Sequence, residues 1–239
     1  MPTTTKYRAI LEECQEAIGY RFQRIELLKA ALTHTSGANT RAASNERLEF
    51  LGDSVLGLVT CEQLYHRFPD FQEGDMTKVK SVVVSRKTCA KFSEQLGLGE
   101  FLFLGKGMEN RGEVPANLLA DVFESLVAAI FLDGGWAVAR SFVLEFIEEE
   151  IEAVAADAVN NNAKSALQQV AQRELGGTPR YYLMDEQGPD HDKCFKVATE
   201  INGHMYPAAW GRNKKDAELR AALNALAAIT GEPLPYPSQ

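Results

Sequence analysis

Two short runs set several carboxylates along one side of an otherwise apolar helix. The first, NERLEFLGDS at residues 45–54, carries Glu46, Glu49 and Asp53 at i, i+3 and i+7. The second, ADVFESLVAAIFLD at residues 120–133, carries Asp121 and Glu124 at i and i+3. At about 3.6 residues per turn, each set shares one helix face. Their neighbours Leu48, Phe50, Leu51, Val55, Leu56, Val122, Phe123, Leu126 and Val127 read as core. Acids in such company need a partner, because an unpaired buried charge is costly. Two carboxylates ~5 Å apart repel by roughly 3 kcal/mol at an effective dielectric of about 20. A divalent cation is the simplest way to remove that repulsion.

The chemistry this suggests is phosphodiester hydrolysis. Charge then builds on the attacking and leaving oxygens, and two metals about 3.5–4 Å apart can stabilise both. Hard ions such as Mg²⁺ take oxygen ligands, whereas zinc prefers nitrogen or sulfur, which is not near in sequence. A di-iron bundle wants Glu-x-x-His, and none of His34, His66, His191 and His204 has Glu three residues before it. Spacing therefore favours a magnesium-type site over a redox one. The same spacing also describes a solvated helix face, above all for Glu46 beside Arg47, and the residues alone leave both readings open.

The whole chain sets further bounds. Its 239 residues, 45% of them hydrophobic, suit one or two soluble domains. No apolar stretch is long enough to cross a bilayer. The first residues lack the basic and apolar regions of a secretory leader, so a cytoplasmic protein is expected. Cys14, Cys61, Cys89 and Cys194 form no CxxC and read as reduced thiols, mostly packed inside. The net charge of −8 looks wrong for a nucleic-acid binder until it is divided along the chain. Residues 1–159 hold 16 Lys and Arg against 24 Asp and Glu, and residues 160–230 hold 9 against 8. The acidic excess lies with the carboxylate clusters, partly in Glu145, Glu148, Glu149, Glu150 and Glu152, which read as a solvated helix face.

The elements that must position these acids read as helices throughout residues 1–157. Periodicity predicts helices over 7–18 and 25–33, then a polar loop over 37–44. The first acidic helix starts at Asn45 and breaks at Phe68-Pro69-Asp70. One long amphipathic helix is predicted over 77–96 and an exposed glycine-rich loop over 97–114. Pro115 opens the second acidic helix and Gly134-Gly135 closes it. Another helix covers 136–155. The polar stretch ADAVNNNA, 156–163, marks a domain boundary. Beyond it the pattern becomes α-β-β-β-α. A helix over 164–175 precedes strands over 180–186 and 194–201, an Asn202-Gly203 hairpin turn, a third strand over 204–212 and a helix over 214–229. Pro207 argues that the third strand lies at an edge. Residues 234–239 are expected to fray.

The run ERLEFLGDS, residues 46–54, closely resembles the nine-residue motif of the ribonuclease III family. Residues 120–133 resemble that family's downstream acidic helix, and the α-β-β-β-α tail resembles its double-stranded-RNA-binding domain. The resemblance covers residues 5–230. It implies an all-α endonuclease domain at 1–157 and an α+β double-stranded-RNA-binding domain at 162–231. Glu49, Asp53, Asp121 and Glu124 match the metal-binding acids, with Asp53 and Glu124 the catalytic pair. Glu46 and Glu73 match auxiliary acids. Phe50 matches an aromatic knob that enters the partner subunit of a homodimer; the alternative is plain packing within the chain. The implied activity is Mg²⁺-dependent cleavage of double-stranded RNA, with Mn²⁺ able to substitute and no organic cofactor. It leaves 5′-phosphate and 3′-hydroxyl ends, and each of two sites cuts one strand.

A-form RNA offers 2′-hydroxyls in a wide minor groove and phosphates across a narrow major groove. In the tail, Gln168 and Gln172 at i and i+4 suit sugars and base edges. Asp190-His191 in the GPDH turn suits a second minor groove. Lys214 and Lys215, after Asn213 as N-cap, suit the phosphates between. Lysine there opposes the helix dipole, which an anionic partner offsets. Family members commonly have Ser where this chain has Asn213, and small residues or glycine where it has Pro207 and Trp210. Those departures, with a charge near +1, bear on RNA affinity more than on cleavage. The expected role is processing of ribosomal RNA precursors and structured transcripts. The rivals are a protein that holds duplex RNA without cutting it, and a carboxylate–metal enzyme acting on another substrate.

Overall fold

The computed structural model describes residues 4–105, 108, 114–189 and 193–236, with backbone alone at 4–6 and 157–162. The chain divides into two compact units, Met1–Val154 and Ala155–Gln239.

In the first unit, helices α1 (Thr4–Ala17), α2 (Ile25–Ala31), α3 (Glu46–Arg67), α4 (Glu73–Val83), α5 (Arg86–Gln95), α6 (Ala116–Gly134) and the start of α7 (Trp136–Val170) follow in order. Short 3-10 turns lie at Arg41–Ala43 and Leu98–Phe101. From Leu118 to Ile130 every residue of α6 except Asp121 is buried. Apart from the face that carries Asp121, Glu124 and Ser125, that stretch is apolar, so other helices must surround it. α2, α3 and α5 pack on it. Phe92 of α5, Phe123 of α6 and Phe146 of α7 meet with ring centroids 5.2–5.6 Å apart. On another side Ala31, Ala128 and Ala129 pack with Leu48, small side chains that let α2 and α3 come close to α6.

The end of α6 is tied down by Asp133. Its carboxylate accepts hydrogen bonds at 2.9 Å from the Gln23 and Arg24 backbone N–H groups and from the Tyr20 hydroxyl. The side chain is fully shielded from solvent. Burial alone would push its pKa up, but those donors and the Arg24 guanidinium hold it below the usual carboxylate value.

Several expectations need correction. The helix over 77–96 is two helices. Val84 and Ser85 separate them, and the Ser85 hydroxyl caps α5 by accepting from the Thr88 N–H at 3.3 Å. The expected open loop over 97–114 includes the 3-10 turn and buried Phe103. Phe103 bridges to Thr33: its N–H donates to Leu32 at 2.8 Å and its carbonyl accepts from His34 at 3.2 Å. The part of that loop at 106–107 and 109–113 lies outside the described residues. Helix also continues through the polar boundary stretch 156–163, which holds no proline or glycine to interrupt it. Cys14 and Cys89 are buried, but Cys61 is exposed and Cys194 half-buried.

In the second unit, the end of α7 passes into a π-turn (Ala171–Leu175). It is followed by β1 (Arg180–Gln187), β2 (Cys194–Ile201), β3 (His204–Met205), β4 (Ala209–Gly211) and α8 (Lys214–Thr230). The antiparallel sheet is centred on β2, which pairs β1, β3 and β4. Asn202 and Gly203 turn the β2–β3 hairpin, both at positive φ. The expected third strand is split by Tyr206–Ala208, where Pro207 lacks a donor. Asn224 compensates from α8, donating to the Ala208 carbonyl at 3.3 Å. It also exchanges hydrogen bonds with Tyr236, whose N–H donates to its Oδ1 at 3.1 Å. Tyr236 is therefore held, contrary to the expectation of a frayed tail. The core joins Leu167, Ala171, Ile201, Ala222 and Ala225, with Val197, Ala217 and Ala221 beside it. Alanine on α8 allows close approach; at Gly211 a Cβ would fall 2.2 Å from the Ala217 nitrogen.

Asp133→Ala should destabilise the first unit by ~2–3 kcal/mol, since it removes three hydrogen bonds made to one shielded carboxylate. Thermal unfolding should show a fall of roughly 2–4 °C per kcal/mol. The folded-state pKa is depressed, so the Asp133 contribution is present above the ordinary carboxylate pKa and lost as pH falls through the lowered value. The gap between wild type and variant should thus narrow in acid.

Candidate active site and nucleic-acid interface

The site is built where α3 crosses α6. At Gly52 a Cβ would lie 1.7 Å from the Glu124 carbonyl oxygen and 2.4 Å from its carbon. Only glycine permits that approach. It places Asp53, next in sequence, and Glu49, one turn earlier, beside Glu124 and, one turn before it, Asp121. Ser125 fastens the crossing: its hydroxyl is 2.7 Å from the Asp121 carbonyl and 3.3 Å from that of Asn45 at the head of α3.

An open cavity of about 560 Å³ collects Glu46, Glu49, Asp53 and Glu124, with Arg41 and Arg86 in its wall. Glu124 is 8% exposed. Burial, then the charges of Asp53, Glu49 and Asp121, push its pKa up to about 7. Glu49 is raised by burial and by Asp121, with Arg86 opposing. Asp121 is raised by burial, with Arg86 and His34 opposing. Glu46 differs: its carboxylate accepts from the Arg41 guanidinium at 2.7 and 3.1 Å, which holds its pKa down.

Acids from two separated stretches therefore meet in one pocket that resists full ionisation. Added positive charge would relieve it. Among the described residues, no three Asp, Glu, His or Cys side chains already close into a ligand shell. The donor set fits a hard divalent ion, because the four converging acids offer only oxygen. Two groups that sequence distance had set aside do lie close by. The Cys89 thiol hydrogen-bonds Glu124, and burial pushes its pKa up, so it stays a neutral donor. His34 acts on Glu46 and Asp121 through its charge, but its ring nitrogens face Ser36 Oγ at 2.9 Å and Thr35 Oγ1 at 3.3 Å. Neither signalled itself in sequence, because helical spacing reveals neighbours only within one helix.

Other expected residues are placed elsewhere. Glu73 accepts from the Thr77 hydroxyl at 2.8 Å and lines a groove with Leu58 and Tyr65, apart from the acidic cavity. Phe50 is 79% exposed, so reading it as core of this chain is wrong. With Leu58 and Tyr65 it forms an exposed apolar stripe on α3. In the second unit, Gln168 and Gln172 are exposed on α7 and the π-turn. Lys214 and Lys215 are exposed in the first turn of α8, whose Asn213 cap accepts from the Asp216 N–H at 2.9 Å. Lys214 also lies over the Phe195 ring at 5.6 Å, and Lys196 over Trp210 at 5.6 Å. His191 and its neighbour Asp190 lie outside the described residues.

A helical unit with converging carboxylates, followed by a unit of two helices and a four-stranded antiparallel sheet with exposed lysines and glutamines, has the make-up of an endoribonuclease with a double-stranded-RNA-binding domain. Residues 24–151 match the Ribonuclease-III-like family, and residues 163–229 match the double-stranded RNA binding motif. Ribonuclease 3 of Rhodopirellula baltica is 48% identical over 231 residues, covering 97% of this chain and 87% of that protein. Ribonuclease 3 of Symbiobacterium thermophilum is 43% identical, covering 89% and 92%. The solved nuclease domain of ribonuclease III from Campylobacter jejuni is 38% identical with a TM-score of 0.55, covering 59% of this chain and 97% of that one. The chain belongs to the ribonuclease III family.

Gly52→Ala should separate α3 from α6. The expected outcome is a loss of stability of ~1–3 kcal/mol from overpacking, measured by thermal unfolding. Nuclease activity should fall far more than the folded fraction does, since the acids part before the core melts.

Proposed function

We propose that this chain cleaves double-stranded RNA as a Mg²⁺-dependent homodimer, in the cytoplasm, processing ribosomal RNA precursors and structured transcripts. The observation that carries the reading is the buried Glu124, whose carboxyl is pushed up by burial, then by Asp53 and Glu49 from across the α3–α6 crossing and by Asp121 one turn earlier on α6. Glu49, Asp53, Asp121 and Glu124 would hold the cation, with Mn²⁺ as a substitute. When bound, such an ion neutralises phosphate charge and makes water a better nucleophile near neutral pH. Asp53 is exposed at the cavity and serves as acceptor for the attacking water. The water oxygen forms a bond to phosphorus and the bond from phosphorus to O3′ breaks. O3′ then takes a proton, leaving 3′-hydroxyl and 5′-phosphate ends. Arg41 holds Glu46 at the rim, which fits an auxiliary part for that acid. Glu73 belongs to the neighbouring groove on α3 and has a less direct part.

The working division into domains is 1–157 for cleavage and 162–231 for reading the duplex. Gln168, Gln172 and His191 would meet minor-groove sugars and base edges, and Lys214 and Lys215 the phosphates between. The exposed stripe of Phe50, Leu58 and Tyr65 supports a twofold interface along α3, with Phe50 entering the partner. The Campylobacter nuclease domain is described as having a region involved in dimer formation, which supports the same reading.

Labelled RNA duplex should be cut by the wild type only when Mg²⁺ is supplied. Glu124→Gln should bind the duplex yet cut it roughly 10²–10³-fold more slowly or less. Unchanged cutting by the variant would remove Glu124 from the site. Binding without products from the wild type would instead select a protein that holds duplex RNA and does not cleave it. In sedimentation, Phe50→Ala should shift the wild-type dimer towards monomer; an unmoved distribution would remove Phe50 from the interface.

A further inference from the structure

We propose that Arg86 and Lys80 form a phosphodiester clamp that holds the strand being cut on either side of its scissile phosphate. The inference rests on the α3–α6 crossing being the cleavage site. Arg86 is the first residue of α5, exposed in the wall of the acidic cavity. Its charge reaches both Glu49 and Asp121. Lys80 is in the last turn of α4 and lies over α3 at Gly57. Its Cε and Nζ are 3.4 and 3.5 Å from where a Gly57 Cβ would sit. Gly57 is buried beneath that side chain, so a larger residue there would push against the ammonium.

Arg41, in the same cavity wall, is engaged with Glu46 at 2.7 Å, and Lys91, further along α5, with Glu150 at 2.6 Å. Among the described residues, neither Arg86 nor Lys80 has a carboxylate within 4.0 Å or a hydrogen-bonded partner, though acids crowd the cavity. Arg86 without an ion pair in the wall of the acidic cavity, and Lys80 without one in the neighbouring groove on α3, suit an anion that arrives from outside and lies along that helix. Their spacing says which kind. Glu49, Asp53 and Gly57 follow one another at four-residue steps, about 6 Å each along the helix. Arg86 acts near the first and Lys80 lies over the last, so the two flank Asp53. A sugar–phosphate backbone laid along this face would meet a cation before and after the phosphate at Asp53. Contacts of this kind position a strand without reading its sequence.

The test uses the full chain and one RNA duplex, measuring kcat/KM against salt at saturating Mg²⁺. Arg86→Ala and Lys80→Ala should each lose about tenfold. Each should also flatten the slope of log kcat/KM against log salt by about one, as expected for one lost phosphate contact. Arg86→Lys and Lys80→Arg should recover most of both. An active wild type with slopes unchanged in the alanine variants overturns the clamp alone, even if their rates fall, because a folding defect would lower rate without altering the slope. A wild type that cuts no duplex overturns the nuclease reading, and the clamp with it.

Discussion

The contact of Gly52 with the Glu124 backbone is the constraint on which the rest depends. Four acids on two helices can act together only if the helix axes come closer than ordinary side chains allow. Gly52 removes the obstruction, and Ser125 holds the result by bonding to carbonyls of both helices. The burial of α6 on all sides fixes the crossing from behind. Packing is thus what forces like charges together; their mutual repulsion would otherwise separate them.

Electrostatics then grades the acids by position. Glu124 sits deepest and is the most perturbed. Glu49 and Asp121 are half-buried and raised less. Glu46 is neutralised by Arg41 at the rim. The arrangement tolerates an incoming phosphate only in company with positive charge, which explains why an acidic unit can serve a polyanionic substrate. The second unit carries its lysines in the first turn of a helix, where the backbone dipole adds to their attraction for phosphate.

Much of this was legible in the residues, because helical periodicity and caps are local. The acid faces, the start of α3, the Pro115 entry to α6 and the Asn213 cap all depend on spacing within a few residues. What depended on tertiary placement was not. Ser85 ends one helix and starts another, but a lone serine in an amphipathic run gives little sign of it. Phe50 sits in an apolar run yet points outward, since periodicity gives a face and not what covers it. Cys89 and His34 are brought to the acids by other helices and loops, so no spacing rule could find them. Pro207 warned of an edge but not of Asn224, which completes the hydrogen bonding it disrupts. The resemblance of ERLEFLGDS pointed to Glu49 and Asp53, and that of residues 120–133 to Asp121 and Glu124, yet neither indicated that Glu73 would line a separate groove.

Phe50 stands between Glu49 and Asp53 in sequence while presenting its ring to solvent. Any surface that covers the ring also excludes water from the neighbourhood of those carboxylates and strengthens their repulsion. In the proposed dimer, assembly and cation uptake would therefore be linked through one helix. By reciprocity, a bound ion tightens whatever seats on Phe50 by the same factor that the seated partner tightens the ion. On that proposal, dilution, chelation and mutation of the ring would be three ways of moving a single equilibrium.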